Sequence, residues 1–325
     1  MHAFAPGPRL APQTRRLPMP SAPFPPRSGF AALAGLCMVW GYTWVVMKEG
    51  LRFADPFDYA ALRTIPGALL IFAVLLARGR PLALKSPYRT FVFGLFQTTA
   101  FNALVSWALV AGAAGKTAVL VYTMPFWTLL FAWPFLGERI RGAQWPAVAL
   151  SAAGLALVLE PWNLGGTFAS KLLAVLTGVA WAVSAVLAKK WRDALGPDLL
   201  ALTAWQMLFG GAVLAVIAFA VPSRPVEWTP YFWFLLIYAT VFGTVAGWLL
   251  WLFVLRRLPA GIAGLSIMAV PAIGVLCSRL QLGEIPGATE AAGMVLIMAS
   301  LALLSWPSLR RARRAAPATQ PDAEP

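Results

Sequence analysis

Long apolar runs, broken by short polar or charged stretches, fill most of the chain. Ten runs stand out: residues 29–48, 57–77, 90–111, 116–136, 143–160, 170–188, 198–221, 231–254, 261–281 and 287–305. About 20 mostly apolar residues are needed for a helix to cross some 30 Å of hydrocarbon, and each run is near that length. The breaks between the third and fourth runs and between the eighth and ninth are the narrowest. Only Gly112, Gly115 and Lys116 interrupt the first, and Arg256, Arg257 and Pro259 the second. The pattern predicts an all-α integral membrane protein of ten transmembrane helices.

Composition agrees with that pattern and narrows the chemistry. Of the 325 residues, 60% are hydrophobic and 12% charged, against about 25% charged in soluble proteins. A soluble enzyme and a disordered chain are both poor fits. The one histidine, His2, lies in a polar tail, and Cys37 and Cys277 sit in separate apolar runs. Zinc clusters, a disulfide framework and histidine-based hydrolysis are therefore not expected. No metal or cofactor is expected, and no nucleic acid. The net charge of +14 reads first as a topology signal.

Sorted by loop, 19 of the 26 Lys and Arg residues fall on one side of such a bundle. They include Arg78, Arg80, Lys85 and Arg89 between runs two and three, and Arg310, Arg311, Arg313 and Arg314 after run ten. Positive loops stay in the cytoplasm, so both termini are expected there, in a cell inner (plasma) membrane. Residues 1–28 form a Pro/Arg-rich tail without an apolar stretch, which argues against a cleaved signal. Residues 306–325 read as a basic, disordered tail.

The chain also repeats itself. Residues 115–138 and 261–284 share a leading glycine (Gly115, Gly261), a proline (Pro125, Pro271) and a closing Leu-Gly-Glu (136–138, 282–284), at an offset of 146. Upstream, Trp40 and Lys48 correspond to Trp181 and Lys189 at an offset of 141. The second copy has gained five residues in between, most simply between runs seven and eight. The repeats are then 29–160 and 168–305. Five helices per copy is an odd number, so the second copy enters the membrane upside down, as in many secondary transporters.

Several residues stand out against this background. Arg63 lies inside the second run, where a charge is costly. It either attracts an anionic group such as a carboxylate, or pairs with Asp55 or Asp58 or snorkels toward the outer surface, the structural role being the reading preferred. Gln97, Thr98, Thr99 and Asn102 in run three, Ser184 beside Trp181 in run six, and Trp205 and Gln206 in run seven need partners inside the bundle. They serve substrate hydrogen bonding or helix–helix bonding. Trp40, Thr43, Trp44 and Met47 share one helix face. Trp40, Trp107, Trp181, Trp205 and Trp248 lie well within runs and either line a pathway or pack. Pro125 and Pro271 should kink or loosen their helices, as hinges or as packing features. Gly243 and Gly247 suit close helix approach. Glu138 and Glu284 should cap their helices or pair with Arg139, Arg141 or Arg279.

The sequence resembles the EamA-type family of the drug/metabolite transporter superfamily over about residues 29–305. The resemblance is carried by Trp40-Gly41, Arg63, Pro125 and Leu136-Gly137-Glu138. In the second half it is carried by Trp181-Ala182, Trp205-Gln206, Pro271 and Leu282-Gly283-Glu284. It implies two inverted five-helix repeats around a central cavity, with Trp40 and Trp181 near that cavity and the two prolines on moving helices. It also implies an exporter or permease of small metabolites such as amino acids. No G-x-x-x-x-G-K-[ST] loop is present, so no ATPase of its own is expected. A lipid-acting membrane enzyme and a non-transporting scaffold are the rival readings.

Overall fold

A computed structural model describes residues 26–142, 144–162, 167–258 and 267–315, with side chains from 28 to 304. Most of the N-terminal tail, the start of the ninth run with Gly261, and the end of the C-terminal tail lie outside these residues. The described chain is helical, with no strand. The main helices are α1 (Pro26–Gly50), α2 (Pro56–Ala77), α3 (Pro87–Ala111), α4 (Ala114–Leu136) and α5 (Gln144–Leu159). They are followed by α6 (Phe168–Lys190), α7 (Leu199–Ala220), α8 (Pro230–Arg257), α9 (Ala269–Leu282) and α10 (Ala288–Ala315). Seven of these, α1 to α4 and α6 to α8, are long and apolar enough to cross a membrane. α5, α9 and the Ala288–Leu304 part of α10 are shorter apolar helices; the 14 residues of α9 rise about 21 Å.

Local chemistry sets the helix ends. Proline opens α2, α3 and α8, where its missing N–H has no helical partner to lose. Asp198 caps α7 by accepting from the Leu200 and Ala201 amides at 3.0 and 3.1 Å, and Thr229 caps α8 by accepting from Phe232 N–H. Both Leu-Gly-Glu motifs end their helices alike. Gly137 and Gly283 take left-handed φ of 70° and 68°. The following glutamate amide then bonds back to a carbonyl six residues earlier, Ala132 or Ser278.

Large apolar side chains such as Phe219, Leu280, Leu76 and Val295 face outward. An apolar exterior of this kind suits lipid. α2 packs along α7 and α5 along α10; α1 packs on α8 and α9, and α6 on α3 and α4. Glycine allows the closest approaches. A Cβ on Gly210 of α7 would sit 2.6 Å from Thr98 Cβ of α3.

One sequence expectation changes, the place of the extra residues, and two regions gain detail. The helix α10 runs on through Ala315, into the basic stretch that follows the tenth apolar run. The extra residues of the second copy do not lie between α7 and α8, because nine residues separate α2 from α3 and α7 from α8 alike. Three enter inside α8, which has 28 residues against 25 in α3. Both helices contain a π-helical stretch, Leu95–Ala100 in α3 and Tyr238–Ala246 in α8. A π turn accommodates inserted residues without ending the helix. The remainder enters before α7, where the single turn Arg192–Leu195 lies. Finally, the loosening expected at Pro125 takes the form of a break: α4 stops at Val121 and resumes at Met124.

Candidate functional site

A cavity of about 150 Å³ lies among α1, α2, α3, α4, α6, α7 and α8. That is room for on the order of ten water-sized groups. Its aromatic wall holds Trp40 and Trp44 of α1, Phe101 of α3, Tyr122 of α4, Trp181 of α6 and Trp248 of α8. Trp248 joins two of these rings: its centroid is 6.4 Å from Trp181, nearly parallel, and 6.3 Å from Trp40, edge-on. Phe101 stands edge-on to Trp181 at 5.2 Å. Such pairings fix ring positions beyond simple burial.

The polar wall holds Arg63 and Thr64 of α2, Gln97, Thr98 and Asn102 of α3, and Gln206 of α7. Arg63 Nη2 donates to Asn102 Oδ1, and Asn102 Nδ2 donates to Thr98 O at 2.8 Å. Thr98 donates to Gln206 Oε1 at 2.6 Å, and Ser184 donates to Gln97 Oε1. Arg63 is 7% exposed, and its Nε has no partner. Among the described residues no aspartate or glutamate lines the cavity.

Two breaks in helical regularity shape the walls. The π stretches carry Gln97 and Thr98 on one side and Gly243 and Thr244 on the other. The interruption in α4 brings Val121, Tyr122 and Met124 to the surface of the cavity. Pro125, in the first turn after that break, has no N–H to return to the Val121 carbonyl. Gly243 and Gly247 receive α1: Trp40 Nε1 donates to Gly243 O at 3.0 Å, and Gly247 leaves the space that the indole fills.

Of the sequence candidates, Trp40, Thr43, Trp44, Arg63, Gln97, Asn102, Trp181 and Gln206 come together on this cavity. Ser184 does not. It is fully buried behind the wall, holding Gln97 in place. Trp205 is also elsewhere, donating to Leu82 O at 3.0 Å and packing on Phe72. Trp107, grouped with the inner tryptophans on sequence, is 53% exposed and stands against Phe57. Pro125 and Pro271 each lie in the first turn of a helix, those starting at Met124 and Ala269, and Pro125 follows directly on the break in α4.

The Arg63 ion pair is not formed. Among the described residues no carboxylate lies within ion-pair distance of Arg63, because Asp55 is taken by Arg224 at 3.2 Å. Glu138 and Glu284 do not pair with neighbouring arginines either. Glu138 meets Lys189, and Glu284 accepts from the Ala114 and Gly115 amides and from Ser278. Pairing across the bundle won over pairing along the chain. Met47, on the α1 face already marked by its helical spacing, lines the cavity too, and so do Thr64, Phe101, Tyr122, Met124, Met207 and Thr244, which the sequence did not mark. Only their mid-run positions could have singled them out in the sequence.

An apolar-surfaced helical bundle with a polar and aromatic cavity inside is the build of a membrane protein that handles a small solute. The EamA-like transporter family matches residues 27–160 and 169–306, and the chain belongs to that family of membrane transporters. It is 25% identical over 287 residues to the uncharacterized transporter YoaV of Bacillus subtilis, covering 86% of this chain and 97% of that one. It is 25% identical over 279 residues to the uncharacterized inner membrane transporter YedA of Escherichia coli K12, covering 85% and 90%. A solved crystal structure at 22% identity superposes with a TM-score of 0.61, over 90% of this chain and 99% of that one. It shares the fold.

Proposed function

We propose that the protein is an inner-membrane secondary transporter of a small metabolite, such as an amino acid or a related compound, working by alternating access and moving its substrate outward. Ten spans would form two inverted five-helix repeats, α1–α5 and α6–α10, with both termini cytoplasmic. One observation carries the reading: the cavity is walled by matching elements of the two halves, Trp40 of α1 with Trp181 of α6, and the π stretch of α3 with that of α8. The helix pairing supports it. An axis in the membrane plane exchanges α1 with α6, α3 with α8 and α4 with α9. The packing of α1 on α8 and α9 then has its counterpart in that of α6 on α3 and α4. α2 with α7 and α5 with α10 are pairs that such an axis maps onto themselves. Two related halves sharing one site can expose it to either side in turn.

The test is access from each face. In a background with Cys37→Ala and Cys277→Ala, Thr43→Cys puts one thiol on the cavity wall. A membrane-impermeant thiol reagent should label it when added to either face of oriented vesicles. Labelling from one face only, under all substrate conditions, would rule out alternating access through this cavity.

A further inference from the structure

Resting on the reading of the cavity as the substrate site, we infer that its ligand is an organic monoanion: one carboxylate on a flat, apolar or aromatic body. Arg63 lacks a counter-charge among the described residues. A guanidinium carries five N–H donors and keeps its charge under all ordinary conditions. Here it is nine-tenths buried, one nitrogen bonds a neutral amide, and Nε is unpartnered. Leaving a buried charge without a counter-charge is costly. The cavity itself supplies no acid to meet that cost, so a bound anion is the missing partner.

The neutral groups point the same way. Gln206 spends its oxygen on the Thr98 hydroxyl, and Gln97 Oε1 meets the Ser184 hydroxyl, which also lies 2.6 Å from Trp181 O. Asn102 spends its oxygen on Arg63 and its NH₂ on Thr98 O. Thr43 donates to its own helix at Val39 O. What remains to offer a ligand includes the other Nη hydrogens of Arg63 and the two glutamine NH₂ groups, together with the hydroxyls of Thr64 and Tyr122. The groups that can only donate, the Arg63 guanidinium and the two glutamine NH₂ groups, meet no carboxylate on this wall among the described residues, which suits a ligand group made of acceptor oxygens. A carboxylate matches the planar guanidinium in geometry. A phosphate dianion would bring a second charge with no second cation on the wall. An ammonium group would have no carboxylate to meet. The tryptophan faces opposite provide flat apolar surface for the rest of the molecule.

The experiment uses the full chain in detergent and in proteoliposomes, with indole-3-acetate, its neutral amide indole-3-acetamide, and the cation tryptamine as probes. Binding is read by titration calorimetry and by the shift in thermal unfolding; flux is read with labelled probe. In the wild-type protein indole-3-acetate should bind at least tenfold more tightly than the amide, and tryptamine should be weakest. Arg63→Gln should erase the preference for the anion while leaving amide binding within about twofold; Arg63→Lys should keep part of it. Equal binding of acid and amide by the wild-type protein would overturn the inference, and this comparison needs no variant to fold. So would an anion preference surviving Arg63→Gln. Selective anion binding without flux would instead overturn the transport reading and leave the ligand class standing. Flux of acid and amide at equal apparent affinity would do the reverse.

Discussion

Two buried cations meet opposite fates in this molecule. Lys171 of α6 is 6% exposed and Arg63 of α2 is 7% exposed. Lys171 meets two carboxylates, Glu160 at 2.9 Å and Glu290 at 3.0 Å, and Glu290 also holds Lys116. That cluster ties α4, the end of α5, α6 and the start of α10 together at one end of the bundle. Arg63 meets one neutral amide in the cavity. Similar solvent exposure with unequal partnering separates a charge that holds the fold from a charge kept available. The same difference makes opposite stability effects when each cation is removed.

The largest effect is expected at Lys171. Replacing it with methionine keeps the apolar stem but leaves Glu160 without its cation and Glu290 with one of two. Breaking a buried pair this way costs about 3 kcal/mol or more. Thermal unfolding in detergent should show a large drop, while relative affinities for cavity ligands stay as they were. A loss under about 1 kcal/mol would mean that water screens the cluster and the contrast with Arg63 is false.

A second effect sharpens the cavity side. A Cβ on Gly247 would overlap the Trp40 indole nitrogen, whereas a Cβ on Gly35, in the same helix as Trp40, meets nothing within 4 Å. Gly247→Ala should therefore displace Trp40 from Gly243 O and cost about 2 kcal/mol, with loss of ligand binding. Gly35→Ala should stabilise slightly, since alanine is the better helix former. Matching effects from the two changes would mean that the wall built by Trp40 is soft.

The helices and the repeated motifs were legible in the sequence because lipid demands long apolar runs and helix caps demand particular residues. The left-handed glycines after α4 and α9 follow directly from Leu-Gly-Glu. Eight polar or aromatic candidates also converge on the cavity, since amides and charges in such a bundle must point inward. What the sequence hid were choices between partners. Asp55 and Arg63 are eight residues apart, yet Asp55 is held by Arg224, 169 residues away. Ser184 and Trp205 were inward-facing as expected, but their partners, Gln97 and the Leu82 carbonyl, hold them outside the ligand space. The π stretches leave no mark in hydrophobic periodicity, because a few added residues simply rotate the helix face that follows.

Arg63→Met reverses the sign seen at Lys171. Its removal takes away a buried charge that has no counter-charge, leaving only Asn102 Oδ1 short of a donor. Stability should rise, by about 1 kcal/mol, while affinity for the anionic probe falls. A fall in stability comparable to that of Lys171→Met would show that Arg63 supports the fold through contacts other than charge pairing.

The smallest effect is expected at the other end of the bundle. Lys189 of α6 meets Glu138, just after α4, so this pair also links the two helices. Yet its side chains are 59% and 47% exposed, against 15% and 12% for Lys116 and Glu290. Water solvates both charges when the pair is broken, and holding two long side chains in register costs entropy. Exposed pairs contribute about 0–1 kcal/mol, screened further by salt. In a double-mutant cycle, Lys189→Ala with Glu138→Gln should give a coupling below about 0.5 kcal/mol, fading as salt is raised. The matching cycle at Lys116 and Glu290 should give a clearly larger coupling that salt barely changes. Similar couplings at the two ends, with the same salt response, would mean that burial does not set the strength of these links. The contrast between Lys171 and Arg63 would then have to rest on something other than their surroundings.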